Sequence, residues 1–227
     1  PTVDTAIEVM GGRQPAYEYM CAALRAGKNV VTANKQLMSE RYGELVQLAR
    51  ENHVALRCSA AVGGGIRWLT NLESTLDMEP VLRVSGIMNG TTNYILDTMT
   101  TSGLKFEDAL RQAQALGYAE SDPTADIEGH DACRKICILA ALAFGQHVYP
   151  DQVPTQGIRG VTLADVAYAD SCGYKIKLLG RAIRERDGKL CAFVAPHLVP
   201  ASNPLSGVED VFNAIAVPLS ASGTMLT

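Results

Sequence analysis

The sequence is poor in the residue patterns that metal sites, disulfide frameworks and membrane spans require. Its four histidines are scattered, and its six cysteines, at positions 21, 58, 133, 137, 172 and 191, include no C-x-x-C pair. Zinc sites and disulfide frameworks have characteristic cysteine and histidine spacings, so neither is indicated. No apolar run reaches the roughly 20 residues that a bilayer span needs. The cysteine pattern favours a reducing, cytoplasmic environment.

An excess of charge of one sign is also lacking. The chain has 20 basic and 24 acidic residues, a formal net charge of −4 and no long basic run. Binding to nucleic acid or to an anionic membrane surface usually requires a strongly basic surface, so neither is expected as the main partner. The 227 residues, 47% of them hydrophobic, are enough for a globular protein with a substantial core.

Strands and helices alternate in the first quarter of the chain. The predicted order is a strand at 1–9, a Gly11-Gly12 turn, a helix at 14–26, a strand at 29–32, a helix at 39–51 and a strand at 54–58. This alternation predicts a parallel, doubly wound sheet. The G-x-G-x-x-G turn that usually opens a dinucleotide-binding Rossmann fold is absent, and Gly63-Gly64-Gly65 lacks its spacing.

The most informative segment runs from Leu116 to Lys135. It carries five carboxylates around a turn, at positions 120, 122, 126, 128 and 131. We expect Pro123 and Gly129 to interrupt regular structure, and a helix carrying Asp131 and Lys135 to continue through the apolar residues 136–144. Asp131 and Lys135 then share one helix face, because they are four residues apart. A pair of this kind standing alone is usually a solvated ion pair worth roughly 0.3 kcal/mol.

Residues 116–135 resemble the substrate loop and catalytic helix of the homoserine dehydrogenase family, whose pattern is approximately L-G-Y-x-E-x-D-P-x-x-D-[IL]-x-G-x-D-[AV]-x-x-K. The resemblance implies that Glu120 and Asp126 bind the substrate ammonium group. It also implies that Asp131 holds the substrate and orients Lys135, the proton donor. A lysine ammonium group suits this reaction, since it can stabilise and protonate the alkoxide that forms when an aldehyde is reduced.

A second motif, residues 26–35, resembles the A-G-K-x-V-V-T-A-N-K segment of the same family. The resemblance implies that Lys35 is a cofactor-binding or second catalytic residue. Together with Lys35, the residues Gly11, Gly12 and Asn34 are the expected cofactor-binding residues of this edge of the sheet, where ligands bind in open α/β folds. The alternative is that Asn34 only caps a helix and Lys35 is a surface lysine.

A third motif, residues 84–96, contains the family signature G-I-x-N-G-T-T-N-Y-I-L. Its pattern predicts a strand, an Asn-Gly turn and a helix whose first amides can attract a carboxylate. The resemblance implies that Thr91 holds the substrate carboxylate, whereas the hydroxyl pair of Thr91 and Thr92, taken by itself, is more often a simple N-cap. Tyr118 is a further substrate-binding candidate, and Gly117 and Glu120 are further cofactor-binding candidates.

A fourth motif, residues 59–67, resembles the family loop E-A-S-V-G-G-G-I-P. The resemblance implies a monovalent cation, Na⁺ or K⁺, bound by the backbone carbonyls of Val62, Gly64 and Ile66. In this chain Ser59 replaces the acidic ligand and Arg67 replaces the closing proline. Both changes predict weak ion binding. A purely structural strand-to-helix turn is the alternative.

The fold class expected is therefore α/β, with a partial Rossmann-type doubly wound parallel sheet at 1–60. The resemblance implies an α+β catalytic and dimerisation domain with a mixed sheet at 61–227. Within it we expect a helix at 163–170 and strands at 176–186, 189–197 and 211–217, the first two joined by a tight hairpin. In the family, the missing fingerprint lies in a segment that precedes the residue numbered Pro1 here.

The function that the resemblance implies is NAD(P)-dependent interconversion of L-homoserine and L-aspartate 4-semialdehyde. The enzyme would be a cytoplasmic homodimer acting in threonine, methionine and isoleucine biosynthesis. Two alternatives stay open at this point. One is a related amino-acid dehydrogenase, and the other is a non-catalytic dimerising module that has lost cofactor binding.

Overall fold

A computed structural model describes residues 3–220 and 222–227, which form two sheets with helices packed against them. The first part of the chain comprises strand β1 (Thr5–Glu8), helix α1 (Ala16–Arg25), strand β2 (Asn29–Thr32), helix α2 (Lys35–Glu51) and strand β3 (Leu56–Arg57). Pro1 and Thr2, the first residues of the predicted opening strand, lie outside the described residues.

The three strands form a parallel sheet in the order β1-β2-β3, as the alternation predicts. Helix α1 buries Met20, Cys21 and Leu24 on one face, and Gly27 follows its end with a φ of +70°. That left-handed conformation favours glycine at a helix C-terminus. Helix α2 begins one turn earlier than predicted because the side chain of Asn34 accepts a hydrogen bond from the Leu37 amide and caps it at Lys35.

The second part of the chain contains six helices and five strands among the described residues. Their bounds are α3 (Trp68–Leu76), β4 (Arg83–Ile87), α4 (Gly90–Ser102), α5 (Phe106–Ala115), α6 (Thr124–Ile127), α7 (His130–Phe144), α8 (Leu163–Ser171), β5 (Tyr174–Arg184), β6 (Leu190–Pro200), β7 (Ala214–Pro218) and β8 (Thr224–Leu226). Helix α7 lies in the main core and packs against β4, β5 and β6, with Ile136, Cys137 and Leu139 fully buried.

The five strands form a sheet in the order β6-β5-β4-β7-β8, and every neighbouring pair is antiparallel. The prediction of a mixed sheet is therefore wrong for these five strands, which are all antiparallel to their neighbours. The parallel pairing found near it is an isolated bridge between Thr155 and Val194, outside the named strands. The predicted hairpin between β5 and β6 is confirmed: Glu185 N donates to Lys189 O at 2.8 Å, and Gly188 turns the chain with a φ of +85°.

The acidic segment is more regular than predicted. Pro123 and Gly129 bound regular structure on either side of Asp126, as the sequence predicts, and between them Thr124–Ile127 forms the single-turn helix α6. Proline fits immediately before or within a first helical turn, where its missing amide has no intrahelical partner. Gly129, with a φ of +80°, separates α6 from α7. This sharp turn places Asp126 beside the first residues of α7.

No helix within the described ranges is both long and apolar enough to cross a membrane.

Candidate active site

Asp131 is the centre of a charged cluster formed where the two parts of the chain meet. The residue is 5% exposed, and it lies in the first turn of α7. One oxygen, Oδ1, pairs with Lys35 Nζ from the start of α2. The other, Oδ2, lies 2.8 Å from Lys135 Nζ one helical turn further along α7. One buried carboxylate therefore holds two lysines that lie 100 residues apart in the sequence.

Asn89 completes the cluster from the N-terminus of α4. Its side-chain Nδ2 donates to Asp126 Oδ1 at 2.7 Å and to Asp131 Oδ2 at 3.0 Å. Its Oδ1 accepts from the Thr92 amide at 2.9 Å, which makes Asn89 the N-cap of α4. From its sequence position, Asn89 is predicted only to form part of an Asn-Gly turn. An asparagine directly before a helix is a recognised capping signal, but its contacts with two distant aspartates require the tertiary structure.

The two aspartates of the cluster have opposite pKa shifts. Burial alone would raise the pKa of Asp131, but the charges of Lys135 and Lys35 outweigh it and lower this pKa to about 2. Burial also raises the pKa of Asp126, as does the negative charge of Asp131, while the hydrogen bond from Asn89 opposes the rise. Asp131 is thus a permanent anion near neutral pH, whereas Asp126 takes up a proton more readily than an ordinary aspartate.

Lys135 is oriented by two acceptors. Its Nζ donates to the backbone carbonyl of Met88 at 2.6 Å and pairs with Asp131, and its side chain is 14% exposed. An ammonium group has three N–H donors, so one remains for a ligand. The Lys35 side chain is 41% exposed, which leaves it accessible at the carboxyl end of β2. The spacing-based prediction that Asp131 and Lys135 pair on one helix face is confirmed.

Thr91 and Tyr118 lie together beside the cluster. Thr91 Oγ1 donates to Tyr118 O at 2.6 Å, and the ring of Tyr118 packs edge-on against Tyr94 with centroids 5.0 Å apart. The hydroxyls of Thr91 and Thr92 do not cap α4, because Asn89 does. Gly117 turns the chain after α5 with a φ of +77°. Glu120 is exposed, and Gln114 donates to its backbone carbonyl at 3.1 Å.

Four of the cofactor candidates, Gly11, Gly12, Asn34 and Lys35, lie at the carboxyl edge of the parallel sheet. Gly11 and Gly12 follow β1 with φ values of +73° and +70°, and open space surrounds both α-carbons. Both polar groups of the Asn34 side chain already have partners in the protein. Its Nδ2 donates to Gly12 O at 2.7 Å, and its Oδ1 accepts from the Leu37 amide and caps α2. Asn34 therefore joins this glycine loop to the helix that begins with Lys35.

The glycine-rich loop at 62–66 wraps around the buried Trp68. A Cβ on Gly63 would lie 2.8 Å from the Trp68 ring, and Ile66 N donates to Gly63 O at 2.8 Å. These contacts favour glycine for packing, in keeping with a structural turn. Ser59 and Arg67 are both exposed. Arg67 therefore does not place its charge inside the loop. Within the described residues, no group of three or more His, Cys, Asp or Glu side chains is arranged to hold a metal ion.

The accessible glycine loop and the oriented lysine lie side by side at the carboxyl ends of the parallel strands, where open α/β sheets bind their ligands. Comparison with known proteins specifies the family. Residues 68–227 match the family model for homoserine dehydrogenase, and residues 1–59 match the model for the homoserine dehydrogenase NAD-binding domain. The chain belongs to the homoserine dehydrogenase family.

Individual relatives agree with this assignment. The chain is 46% identical to homoserine dehydrogenase of Mycobacterium tuberculosis over 99% of its own length and 52% of the relative's, and 44% identical to that of Bacillus subtilis over 96% and 50%. It thus spans about half the length of these curated relatives. A non-catalytic module or a different amino-acid dehydrogenase is not favoured.

Solved structures give the same result. The crystal structure of a homoserine dehydrogenase from Thiobacillus denitrificans superposes with a TM-score of 0.94 at 41% identity, covering 98% of this chain and 52% of that one. A hyperthermophilic archaeal homoserine dehydrogenase solved in complex with NADPH superposes with a TM-score of 0.82 at 30% identity, covering 98% and 64%. The expected α/β fold class is confirmed.

Proposed function

We propose that this chain carries the catalytic site of an NAD(P)-dependent homoserine dehydrogenase, which interconverts L-homoserine and L-aspartate 4-semialdehyde. The observation that carries the proposal is the position of Asp131 between Lys35 and Lys135, with Asn89 and Asp126 beside it. This arrangement provides a positioned acid, a fixed anion that orients it, and a second anion for a cationic substrate. Those are the groups that reduction of an amino-acid aldehyde requires.

Lys135 is the proposed proton donor. Because Met88 O and Asp131 fix two of its N–H groups, the third can point at the carbonyl oxygen of the aldehyde. As the carbonyl carbon is reduced, negative charge forms on that oxygen, and the ammonium group stabilises and then protonates it. In the reverse direction the neutral amine accepts the proton of the homoserine hydroxyl. Lys35 adds positive charge on the other side of Asp131 and faces the cofactor edge.

Asp126 and Glu120 are proposed to bind the substrate ammonium group. Asp126 is held by Asn89 through one oxygen only, which leaves acceptor capacity on its carboxylate. The substrate carboxylate is proposed to lie at the N-terminus of α4, where the first amides of the helix have no intrahelical partner. The Thr91 hydroxyl already donates to Tyr118 O, so Thr91 contributes most directly through its amide and through holding Tyr118.

The residues at the carboxyl edge of the parallel sheet fit a nicotinamide dinucleotide. Gly11 and Gly12 leave space for close backbone approach, and Lys35 offers a partly exposed cation. Gly117 and Glu120 lie on the other side of the same cleft in this proposal. When bound, the nicotinamide supplies or accepts the hydride. Titration of the protein with NADH and with NADPH separately measures which dinucleotide it prefers, and binding of neither would contradict this assignment.

The loop at 62–66 is proposed to bind Na⁺ or K⁺ weakly through Val62, Gly64 and Ile66. A neutral hydroxyl at Ser59 offsets the desolvation of a cation less than a carboxylate does. We expect Ser59→Glu to lower the cation concentration needed for half-maximal activation by about tenfold. Activity is measured against NaCl and KCl at constant ionic strength, with Ser59→Gln as the uncharged control. Strong saturable activation of the parent that Ser59→Glu does not improve would contradict this prediction.

We propose further that the enzyme acts as a cytoplasmic homodimer in threonine, methionine and isoleucine biosynthesis. One face of the antiparallel sheet packs against α7, while the other carries Leu179, Arg181 and Ala216 and is covered in part by the turn at 204–207. That second face supports a symmetric sheet-to-sheet contact. Sedimentation of the active protein as a monomer at assay concentration would contradict the dimer.

The reaction itself is tested by following the absorbance of reduced nicotinamide as the purified full-length protein acts on L-aspartate 4-semialdehyde. We expect turnover in this direction, and cofactor reduction with L-homoserine in the other. The matched control substrate is butyraldehyde, which has the aldehyde but neither the ammonium nor the carboxylate group. Equal kcat/KM for both aldehydes would show that the carboxylate cluster does not recognise the substrate ammonium group. Absence of turnover would contradict the proposed function.

Asp126→Asn is expected to raise the KM for homoserine by about tenfold or more, and to change kcat less, if the ammonium contact is equal in ground and transition states. Burial and the charge of Asp131 raise the pKa of Asp126. As the pH is lowered, kcat/KM of the parent should therefore begin to fall at a higher pH than protonation of an ordinary aspartate would cause. The Asn variant should lack this acid limb. Steady-state kinetics across pH measures both effects.

The control for this prediction is Asp122→Asn in the same loop. Asp122 is exposed, and its hydrogen bonds with Thr124 lower its pKa. We expect KM and the pH profile of this variant to stay close to the parent. Equal losses in kcat and kcat/KM for Asp126→Asn would instead place Asp126 in the chemical step.

A further inference from the structure

We propose that Glu8 is a positioning residue, whose buried carboxylate fixes the cofactor-side loop at 9–12 and, through Thr32 and Asn34, the start of the helix that presents Lys35. This inference rests on the proposed function and adds to it a residue outside the cluster around Asp131. Glu8 is the last residue of β1, at the carboxyl edge of the parallel sheet, and is 6% exposed.

The carboxylate of Glu8 is held entirely by uncharged donors. Oε1 accepts from the amides of Met10 at 2.8 Å and Gly11 at 3.2 Å, and Oε2 accepts from Thr32 Oγ1 at 2.5 Å. In the described part of the chain, no lysine or arginine forms an ion pair with it. A buried carboxylate is costly unless hydrogen bonds compensate for lost water, so these three bonds strongly favour one arrangement of the donors.

A relay of hydrogen bonds extends from Glu8 to α2. The Thr32 hydroxyl, which donates to Glu8, accepts from the Asn34 amide at 3.0 Å. Asn34 then caps α2 through Leu37 and donates back to Gly12 O at 2.7 Å. The helix start at Asn34 is thereby connected to both ends of the loop, to Glu8 through Thr32 and to Gly12 directly. Lys35 directly follows Asn34 and pairs with Asp131, so a shift of this relay would move Lys35.

Apolar packing contributes little to holding this loop. Val9 and Met10 are 74% and 54% exposed, and Gly11 and Gly12 have no side chains to pack. A segment with few buried apolar contacts opens easily unless other bonds hold it. The bonds to Glu8 and Asn34 are therefore the main restraint on the loop. Since Gly11 and Gly12 form the proposed cofactor edge, that restraint prepares the site before the dinucleotide binds.

The first test compares Glu8→Ala and Glu8→Gln with Glu18→Ala, a control on the exposed face of α1. Glutamine keeps one oxygen that can accept from Met10 and Gly11, whereas alanine keeps none. We expect the Kd and KM for NADPH to rise by about tenfold in Glu8→Ala and less in Glu8→Gln. The KM for homoserine should change by less than about twofold.

The second readout does not depend on activity. Hydrogen exchange of the Met10 and Gly11 amides should be accelerated by about tenfold in Glu8→Ala, and unchanged in Glu18→Ala. If Glu8→Ala does not fold, Glu8→Gln provides the same comparison. Lower thermal stability with unchanged NADPH binding, kcat and amide exchange would show a merely structural role and would overturn the proposal.

The relay is tested at Thr32. Thr32→Val keeps the shape of the side chain but removes the hydroxyl, and we expect kcat to fall by about fivefold, with recovery in Thr32→Ser. Equal activity of the valine and serine variants would overturn the link to Lys35. If the parent protein does not oxidise homoserine, the proposed function fails. NADPH titration and amide exchange would still test Glu8 in that case.

Discussion

Lys135→Ala is expected to lower kcat by about 10² to 10⁴, the range usual for loss of a general acid, without unfolding the protein. Two acceptors, Met88 O and Asp131, orient the Lys135 ammonium group, and removal of that group would leave the forming alkoxide without its proposed proton donor. The measurement is steady-state turnover in both directions, with circular dichroism to verify folding.

Lys135→Arg separates proton transfer from charge. Arginine keeps the positive charge beside Asp131, but its guanidinium is not deprotonated in the accessible pH range and cannot exchange a proton efficiently. We expect kcat of this variant to stay within about tenfold of Lys135→Ala. Lys105→Ala, at an exposed position before α5, is the control and should retain parent activity. Near-normal turnover of Lys135→Ala would eliminate Lys135 as the acid, whereas recovery in Lys135→Arg alone would assign it a purely electrostatic role.

Asp131→Asn is expected to lower kcat by about 10², because both Lys35 and Lys135 lose the anion that fixes their position relative to the substrate. It should also reduce the free energy of unfolding by about 2 kcal/mol near neutral pH, since the folded state holds the Asp131 pKa at about 2. A lowered folded pKa stabilises the protein above the ordinary aspartate pKa of 3.8, and this contribution is lost as the pH falls toward about 2.

The difference in stability between parent and Asp131→Asn should therefore shrink over that acid range. Urea unfolding at a series of pH values measures it. The control is Asp108→Asn, which removes a half-exposed carboxylate paired with the exposed Arg111 three residues along α5. An exposed pair of this kind contributes little, so kcat and stability should change only slightly. A stability difference for Asp131→Asn that is independent of pH would show that the ion pairs with Lys35 and Lys135 are not its cause.

The local parts of the fold were predictable from the sequence because their signals are short-range. The strand Asn29–Thr32, the helix after Gly129 and the hairpin before Lys189 follow from hydrophobic periodicity, glycine conformation and turn residues. The pairing of Asp131 with Lys135 was predictable for the same reason, since a four-residue spacing brings two side chains together on any α-helix. The remaining site candidates came from family resemblance.

The tertiary structure alone decided which distant groups meet. The single-turn helix Thr124–Ile127 depends on how the chain packs before α7, and the antiparallel order of the larger sheet depends on strand pairings between distant segments. Asn89, Lys35 and Glu8 each belong to a different strand or helix end, so no sequence spacing relates them to one another. Their contacts form because folding brings the ends of several strands and helices close together, and the polar groups buried there require partners.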